Sequence, residues 1–129
     1  MDAEPLLFVY GTLMRGFPLH ALLEGRADSV GEGEVAGLLF DLGRYPAALQ
    51  DGGGQICGEV YRLKDPGLLR GLDSAEGSQY HRGEVVVRLT GGRQVTAYIY
   101  WYVRTLRWAV PIPGGDYRAH APAQSIYHR

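Results

Sequence analysis

The run Leu6-Leu7-Phe8-Val9-Tyr10 stops abruptly at Gly11. Five apolar or aromatic residues without a polar interruption predict a short buried strand. Gly11 tolerates backbone angles that other residues resist, and it places no side chain in the way. Thr12, Leu13, Met14 and Arg15 follow before a second glycine, Gly16. A buried strand therefore opens into a loop with amide N–H groups to spare. Two readings stand: the chain simply turns here, or consecutive N–H groups form a concavity for a carboxylate or an oxyanion.

The rest of the chain limits what such a loop can serve. Its 129 residues suffice for one domain with a core, 1–129, and are too few for two ordinary ones. Thirteen Lys and Arg against fourteen Asp and Glu give a net charge of −1, so nothing favours nucleic acid or an anionic membrane surface. No apolar run reaches the roughly 18 residues of a membrane span, and Met1-Asp2-Ala3-Glu4-Pro5 lacks the basic start of a signal peptide. The single cysteine, Cys57, excludes an internal disulfide and suits a reducing cytoplasm. The histidines at 20, 81, 120 and 128 have no metal-ligand spacing, so no metal is expected, and His120 and His128 read as solvated surface.

Nineteen glycines among strongly hydrophobic segments predict many tight turns rather than disorder. Pro18 to Leu23 reads as a short helix with Leu19, Leu22 and Leu23 as its stripe. Ala27 to Glu34 is a connection or a short edge strand, and Glu34 to Leu42 is a strand. Pro46 biases Tyr45 to an extended conformation in a fixed loop. Gln55 to Leu63 is a further strand, in which Gly58 signals a bulge or a close backbone approach. Asp65-Pro66 opens a helix with Leu68, Leu69 and Leu72 as its stripe, and Gly77 closes it. Glu84 to Leu89 and Gln94 to Val103 form a hairpin around Gly91-Gly92. Its second strand sets an aliphatic face against one carrying Tyr98, Tyr100 and Tyr102. Pro113 to Tyr117 is a loop, and about 118–129 is a tail of little order. About five strands and two or three short helices in mixed order make an α+β fold, a small curled sheet or barrel with helices against it.

Glu76 is the sharpest chemical candidate. The four-residue step Leu68, Leu72, Glu76 carries a carboxylate onto the apolar row of the helix, where desolvation raises its pKa toward the range of a general base. The alternatives are that Glu76 turns outward or pairs with Arg82. Asp73 shares its face or is a surface or hydrogen-bonding residue. Tyr80 and Arg82 alternate into the next strand, either lining a pocket, with Arg82 gripping a carboxylate, or forming an ordinary strand-edge pair. Neither a nucleophile elbow nor a phosphate loop is present.

Phe8-Val9-Tyr10-Gly11-Thr12-Leu13-Met14-Arg15-Gly16, Gly43-Arg44-Tyr45-Pro46-Ala47, Gly58-Glu59-Val60-Tyr61, and Leu72-Asp73-Ser74-Ala75-Glu76-Gly77 followed by Tyr80 and Arg82 together resemble the gamma-glutamylcyclotransferase-like family, which includes the AIG2-like proteins and the gamma-glutamylamine cyclotransferases. The resemblance runs from about residue 6 to Tyr117. It implies a small mixed β-barrel of about five or more strands with two or three short helices packed against it. It implies a cavity for a gamma-glutamyl group and release of 5-oxoproline and a free amine, without cofactor or metal. Carried over residue by residue, Tyr10, Gly11, Thr12 and Leu13 form the substrate loop and Glu76 is the acid/base. Tyr45, Arg82 and Tyr117 are pocket candidates. The expected partner is a small-molecule gamma-glutamyl substrate, not nucleic acid or membrane. Glutathione, gamma-glutamyl amino acids and a gamma-glutamyl-lysine isopeptide all fit, and no sequence feature assigns an oligomeric state. A second reading is a non-catalytic binding or regulatory domain for such a metabolite, because a fold does not fix a function. A third is a lyase that removes a gamma-glutamyl protecting group in a biosynthetic route.

Overall fold

A computed structural model describes residues 4–65 and 67–120. Eight strands form in chain order: β1 (Leu6–Val9), β2 (Ala27–Ala36), β3 (Leu38–Asp41), β4 (Pro46–Leu49), β5 (Gln55–Leu63), β6 (Tyr80–Leu89), β7 (Gln94–Tyr102) and β8 (Val110–Pro111). A 3-10 helix covers Pro18–Leu22, and two α-helices follow, α1 (Leu68–Glu76) and α2 (Tyr117–His120).

Five strands close into a barrel in the order β1-β5-β2-β6-β7. The pairs β1–β5, β5–β2, β2–β6 and β6–β7 are antiparallel, and β7 returns parallel to β1 at Leu7↔Tyr98. The barrel is therefore mixed, and closure leaves it no free edge. β4, β3 and β8 make a separate three-stranded sheet. Leu7, Phe8, Ile56, Val60, Leu63, Leu72, Val87 and Ile99 fill the core.

Gly58 answers to close approach rather than to a bulge. A β-carbon there would overlap the Val9 carbonyl oxygen and sit 2.6 Å from Cζ of Phe8, so only hydrogen lets β1 lie so near β5. The bulge lies in β2 instead, between Ser29 and Gly31.

Several expectations are corrected. Ala27–Glu34 is neither a connection nor an edge, because β2 runs ten residues between β5 and β6. The predicted strand Glu34–Leu42 is two strands, parted at Gly37, where the chain leaves the barrel for the second sheet. Pro18–Leu22 has three residues per turn, which stacks Leu19 over Leu22 on an exposed side. Only Leu23 of that stripe is buried. β8, with a proline in two residues, pairs with β3 and carries almost no sequence signal. α1 begins at Leu68 with Gly67 as its N-cap, and the Asp65 carboxylate accepts the Gly67 N–H at 2.9 Å. Pro66, expected at the first helical position, lies outside the described residues. Residues 118–120 of the expected tail are helical, and 121–129 lie outside the described residues. His120 is not a solvated side chain: its Nε2 lies 2.8 Å from Oδ2 of buried Asp41. Among the described residues, no helix is long and apolar enough to cross a membrane.

Candidate functional site

The end of β1 and the last turn of α1 face one another across a cavity of about 260 Å³. Tyr10, Gly11, Thr12 and Leu13 line one side, and Ala75 and Glu76 line another. Tyr45 and Pro46 enter before β4, Gln79 and Tyr80 at the start of β6, Tyr100 from β7, and Leu19 from the 3-10 helix. Six of the eight residues that the resemblance assigns to the site thus share one cavity, and Tyr80, read from its spacing as a pocket candidate, lines it too.

The loop owes its shape to where its carbonyls go. The Gly11 carbonyl accepts the Met14 N–H at 3.0 Å, and the Thr12 carbonyl accepts the Leu19 N–H at 3.0 Å. The Leu13 carbonyl accepts Nδ1–H of His20 at 3.0 Å. Among the described residues, no group accepts a hydrogen bond from the N–H of Gly11, Thr12 or Leu13. The peptide dipoles are thus committed on their negative ends and free on their positive ends, beside a cavity. That arrangement favours an anion.

A buried carboxylate anchors the loop from behind. Glu59 Oε1 accepts the Arg15 N–H at 3.0 Å and the Tyr61 hydroxyl at 2.8 Å, and Oε2 accepts Nη2 of Arg118 at 2.7 Å. Asp41 does comparable work for the neighbouring turn, accepting the Gly43 N–H at 2.7 Å two residues before Tyr45. The Tyr45 hydroxyl donates to Oε1 of Gln79 at 3.1 Å, joining two lining residues.

Among the described residues, Glu76 is the cavity's only carboxylate. Leu68 and Leu72, earlier on the same row of α1, are buried, so the row delivers Glu76 inward as its spacing predicts. Burial pushes its carboxyl up to about 7. It neither turns outward nor pairs with Arg82. The surrounding phenols are held neutral: burial raises Tyr10, Tyr80 and Tyr100, with Glu76 adding to each. The Tyr10 hydroxyl donates to the Tyr100 carbonyl at 2.5 Å, and the Tyr80 hydroxyl to the Pro46 carbonyl at 2.8 Å.

Arg82 and Tyr117 are not among the lining residues. Arg82 Nε lies 3.2 Å from Oδ1 of Asp73, and its guanidinium covers the Tyr98 ring at 4.7 Å. Tyr117 is buried against Phe17, ring centroids 5.5 Å apart. Sequence reasoning assigned no role to Glu59, Gln79 or Tyr100. A signal for Glu59 was present: a lone carboxylate two residues from Tyr61 on the same face of an apolar strand. Tyr100 was hidden among three alternating tyrosines.

A larger cleft, about 480 Å³, runs past half-buried Cys57, Gly91 and Gly92. Its Glu34 is paired with Arg88 and its Glu59 with Arg118. The smaller cavity, where no described residue pairs with the loop amides or with the desolvated Glu76 carboxyl, is the better-prepared site.

A family model described as gamma-glutamyl cyclotransferase, AIG2-like, matches residues 7–119. A Vibrio cholerae protein named "Putative gamma-glutamylcyclotransferase" is 36% identical over 116 residues, 88% of this chain and 96% of that one. The crystal structure of an AIG2-like protein from Mus musculus is similar with a TM-score of 0.79 at 28% identity, covering 95% of this chain and 94% of that one. That of an uncharacterised protein from Pyrococcus horikoshii gives 0.77 at 26% identity, covering 98% and 100%. The mixed barrel with its short helices is the fold that the resemblance implied, and the chain belongs to the gamma-glutamyl cyclotransferase, AIG2-like family.

Proposed function

We propose that this protein is a gamma-glutamyl cyclotransferase. The observation that carries the reading is Glu76, a desolvated carboxyl group facing the free amides of Gly11, Thr12 and Leu13 across one small cavity. In a gamma-glutamyl amide the α-amine can reach the γ-carbonyl and close a five-membered ring. Holding that folded geometry supplies up to ~7–11 kcal/mol of the barrier. The loop amides receive the α-carboxylate or the developing oxyanion.

The amine arrives as an ammonium. Glu76 removes one proton and the nitrogen attacks the γ-carbon. The new N–C bond forms, the bond to the leaving nitrogen breaks, and the ring nitrogen gives up a second proton. Both protons pass through Glu76 to the departing nitrogen, which leaves as an ammonium beside 5-oxoproline. No cofactor is needed for this balance. At about 260 Å³ the cavity is smaller than the ~300–1,000 Å³ of sites for drug-sized ligands, so it suits the glutamyl end and leaves the amine side outside. We read the chain as one domain, acting in the cytoplasm, where Cys57 stays reduced.

Incubating the purified protein with gamma-glutamyl amines and peptides, and assaying 5-oxoproline, tests the reading. Turnover by the wild type and none by Glu76→Gln is expected. Tight binding of such ligands without product favours the binding-domain reading, and full activity of Glu76→Gln overturns the mechanism.

A further inference from the structure

Asp73 stands three positions before Glu76 on α1, outside the cavity lining. Its Oδ1 accepts the Tyr100 hydroxyl at 2.7 Å and lies 3.2 Å from Nε of Arg82. Arg82 is opposite Tyr100 in the β6–β7 ladder, and its guanidinium also rests on the Tyr98 ring. Tyr100, unlike Asp73 and Arg82, lines the cavity. Three side chains from two strands and a helix thus converge on the orientation of one phenol.

That orientation has a chemical consequence. A tyrosine hydroxyl has one proton and two lone pairs. With the proton given to Asp73, the oxygen can only accept from a ligand. The other phenols lining the cavity are likewise committed as donors, Tyr10 to the Tyr100 carbonyl, Tyr80 to the Pro46 carbonyl and Tyr45 to Gln79. The Tyr100 oxygen, like an ionised Glu76, is thus set to accept a proton from a ligand, and the loop amides to donate. A ligand that carries an ammonium next to a carboxylate matches both.

We propose that Asp73 is a positioning residue which, through Tyr100, turns a cavity hydroxyl into an acceptor for the α-ammonium of the substrate, so that the site selects gamma-glutamyl groups with a free α-amine. The proposal rests on the gamma-glutamyl reading above. Arg82 neutralises Asp73, which keeps a second uncompensated negative charge away from Glu76. A purely structural tie between α1 and β7 would hold the helix in place without distinguishing ligands.

The test compares two probes by calorimetry: L-glutamine, itself a gamma-glutamyl amide, and glutaramate, which differs only in lacking the α-amine. Wild type is expected to bind both, L-glutamine more tightly. Tyr100→Phe and Asp73→Ala should each weaken L-glutamine about tenfold or more and glutaramate less than about twofold, as for one lost hydrogen bond to a charged group. The double variant should lose no more than the worse single, since both remove one interaction. Asp73→Asn, which keeps an acceptor for Tyr100, should retain the discrimination. Tyr100→Phe preserves the ring, so the comparison survives even where Asp73→Ala does not fold. Equal weakening of both probes, unchanged L-glutamine binding, or additive losses overturn the proposal alone. A wild type that binds neither probe overturns the gamma-glutamyl reading and the proposal with it.

Discussion

Gly11 and Pro46 meet in the cavity so closely that a β-carbon on Gly11 would sit 2.8 Å from Cδ of Pro46 and nearer still to Cγ. Gly11 is not among the glycines with positive φ, a role that falls to Gly16 in this loop. Its value is therefore the missing side chain, not an unusual turn. Gly11→Ala should displace either the loop or Pro46. Overpacking of this kind costs about 1–3 kcal/mol, and kcat/KM should fall about tenfold or more because the loop amides move. Steady-state kinetics beside urea unfolding checks this. Unchanged kinetics in a folded variant would show that the contact does not set the loop.

The carboxyl of Glu76, pushed up to about 7 by burial, predicts the pH dependence of the proposed reaction. A base must be ionised to take a proton, so kcat/KM should rise with pH through an apparent pKa near 7 for the free enzyme. The profile is to be measured between about pH 5 and about pH 9. A limb in the ordinary carboxylate range would mean that the desolvated carboxyl is not the base.

The same shift makes Glu76 a cost to folding at neutral and alkaline pH. Its folded value lies above the ordinary 4.5, so the unfolded chain ionises first as pH rises. Stability from this group is fully present below about 4.5 and is lost as pH rises through about 7. Glu76→Gln should therefore match wild type near pH 4 and exceed it by on the order of 2 kcal/mol above pH 7. Denaturant midpoints at the two pH values decide the matter. Equal stability at both would mean that Glu76 is solvated.

Removing Glu59 should loosen the loop from behind. Glu59→Ala frees the Arg15 N–H and the Tyr61 hydroxyl, while half-exposed Arg118 regains water. A loss of about 1–3 kcal/mol is expected, with KM rising more than kcat falls. A folded variant with wild-type KM would deny Glu59 any role in holding the loop.

Gly58→Ala should be more damaging than its size suggests. Its β-carbon meets the Val9 carbonyl and the Phe8 ring, and both belong to the strand it pairs beside. The expected loss is about 1–3 kcal/mol or more, read as a lower urea midpoint. No change would mean that β1 and β5 can part without cost.

Where periodicity or a turn residue dominates, the sequence was legible. The β6–β7 hairpin turns at Gly91 and Gly92, both with φ of 101°. The step Leu68, Leu72, Glu76 put a carboxylate at the inward end of α1. Longer-range partners were not legible. Arg82 looks like a carboxylate-gripping residue from its place after Tyr80, yet Asp73 from α1 claims it. Tyr117 looks like a pocket residue, yet it packs on Phe17. His120 and Asp41 are 79 positions apart, and neither predicts the other.

The sequence by itself determined the local pieces: a buried strand that opens at Gly11, a helix that ends on Glu76, and a hairpin rich in tyrosine. Each follows from the φ/ψ preferences and apolar spacing of neighbouring residues. Only the tertiary structure decided which strands close the mixed barrel, in the order β1-β5-β2-β6-β7, and which form the separate sheet. It also decided that Asp73, not Glu76, takes Arg82, and that Glu59 holds the loop from behind. The physical reason is burial. Which carboxylate is paired and which is merely desolvated depends on packing between distant segments, and that difference separates Glu76 from Asp73 and Glu59.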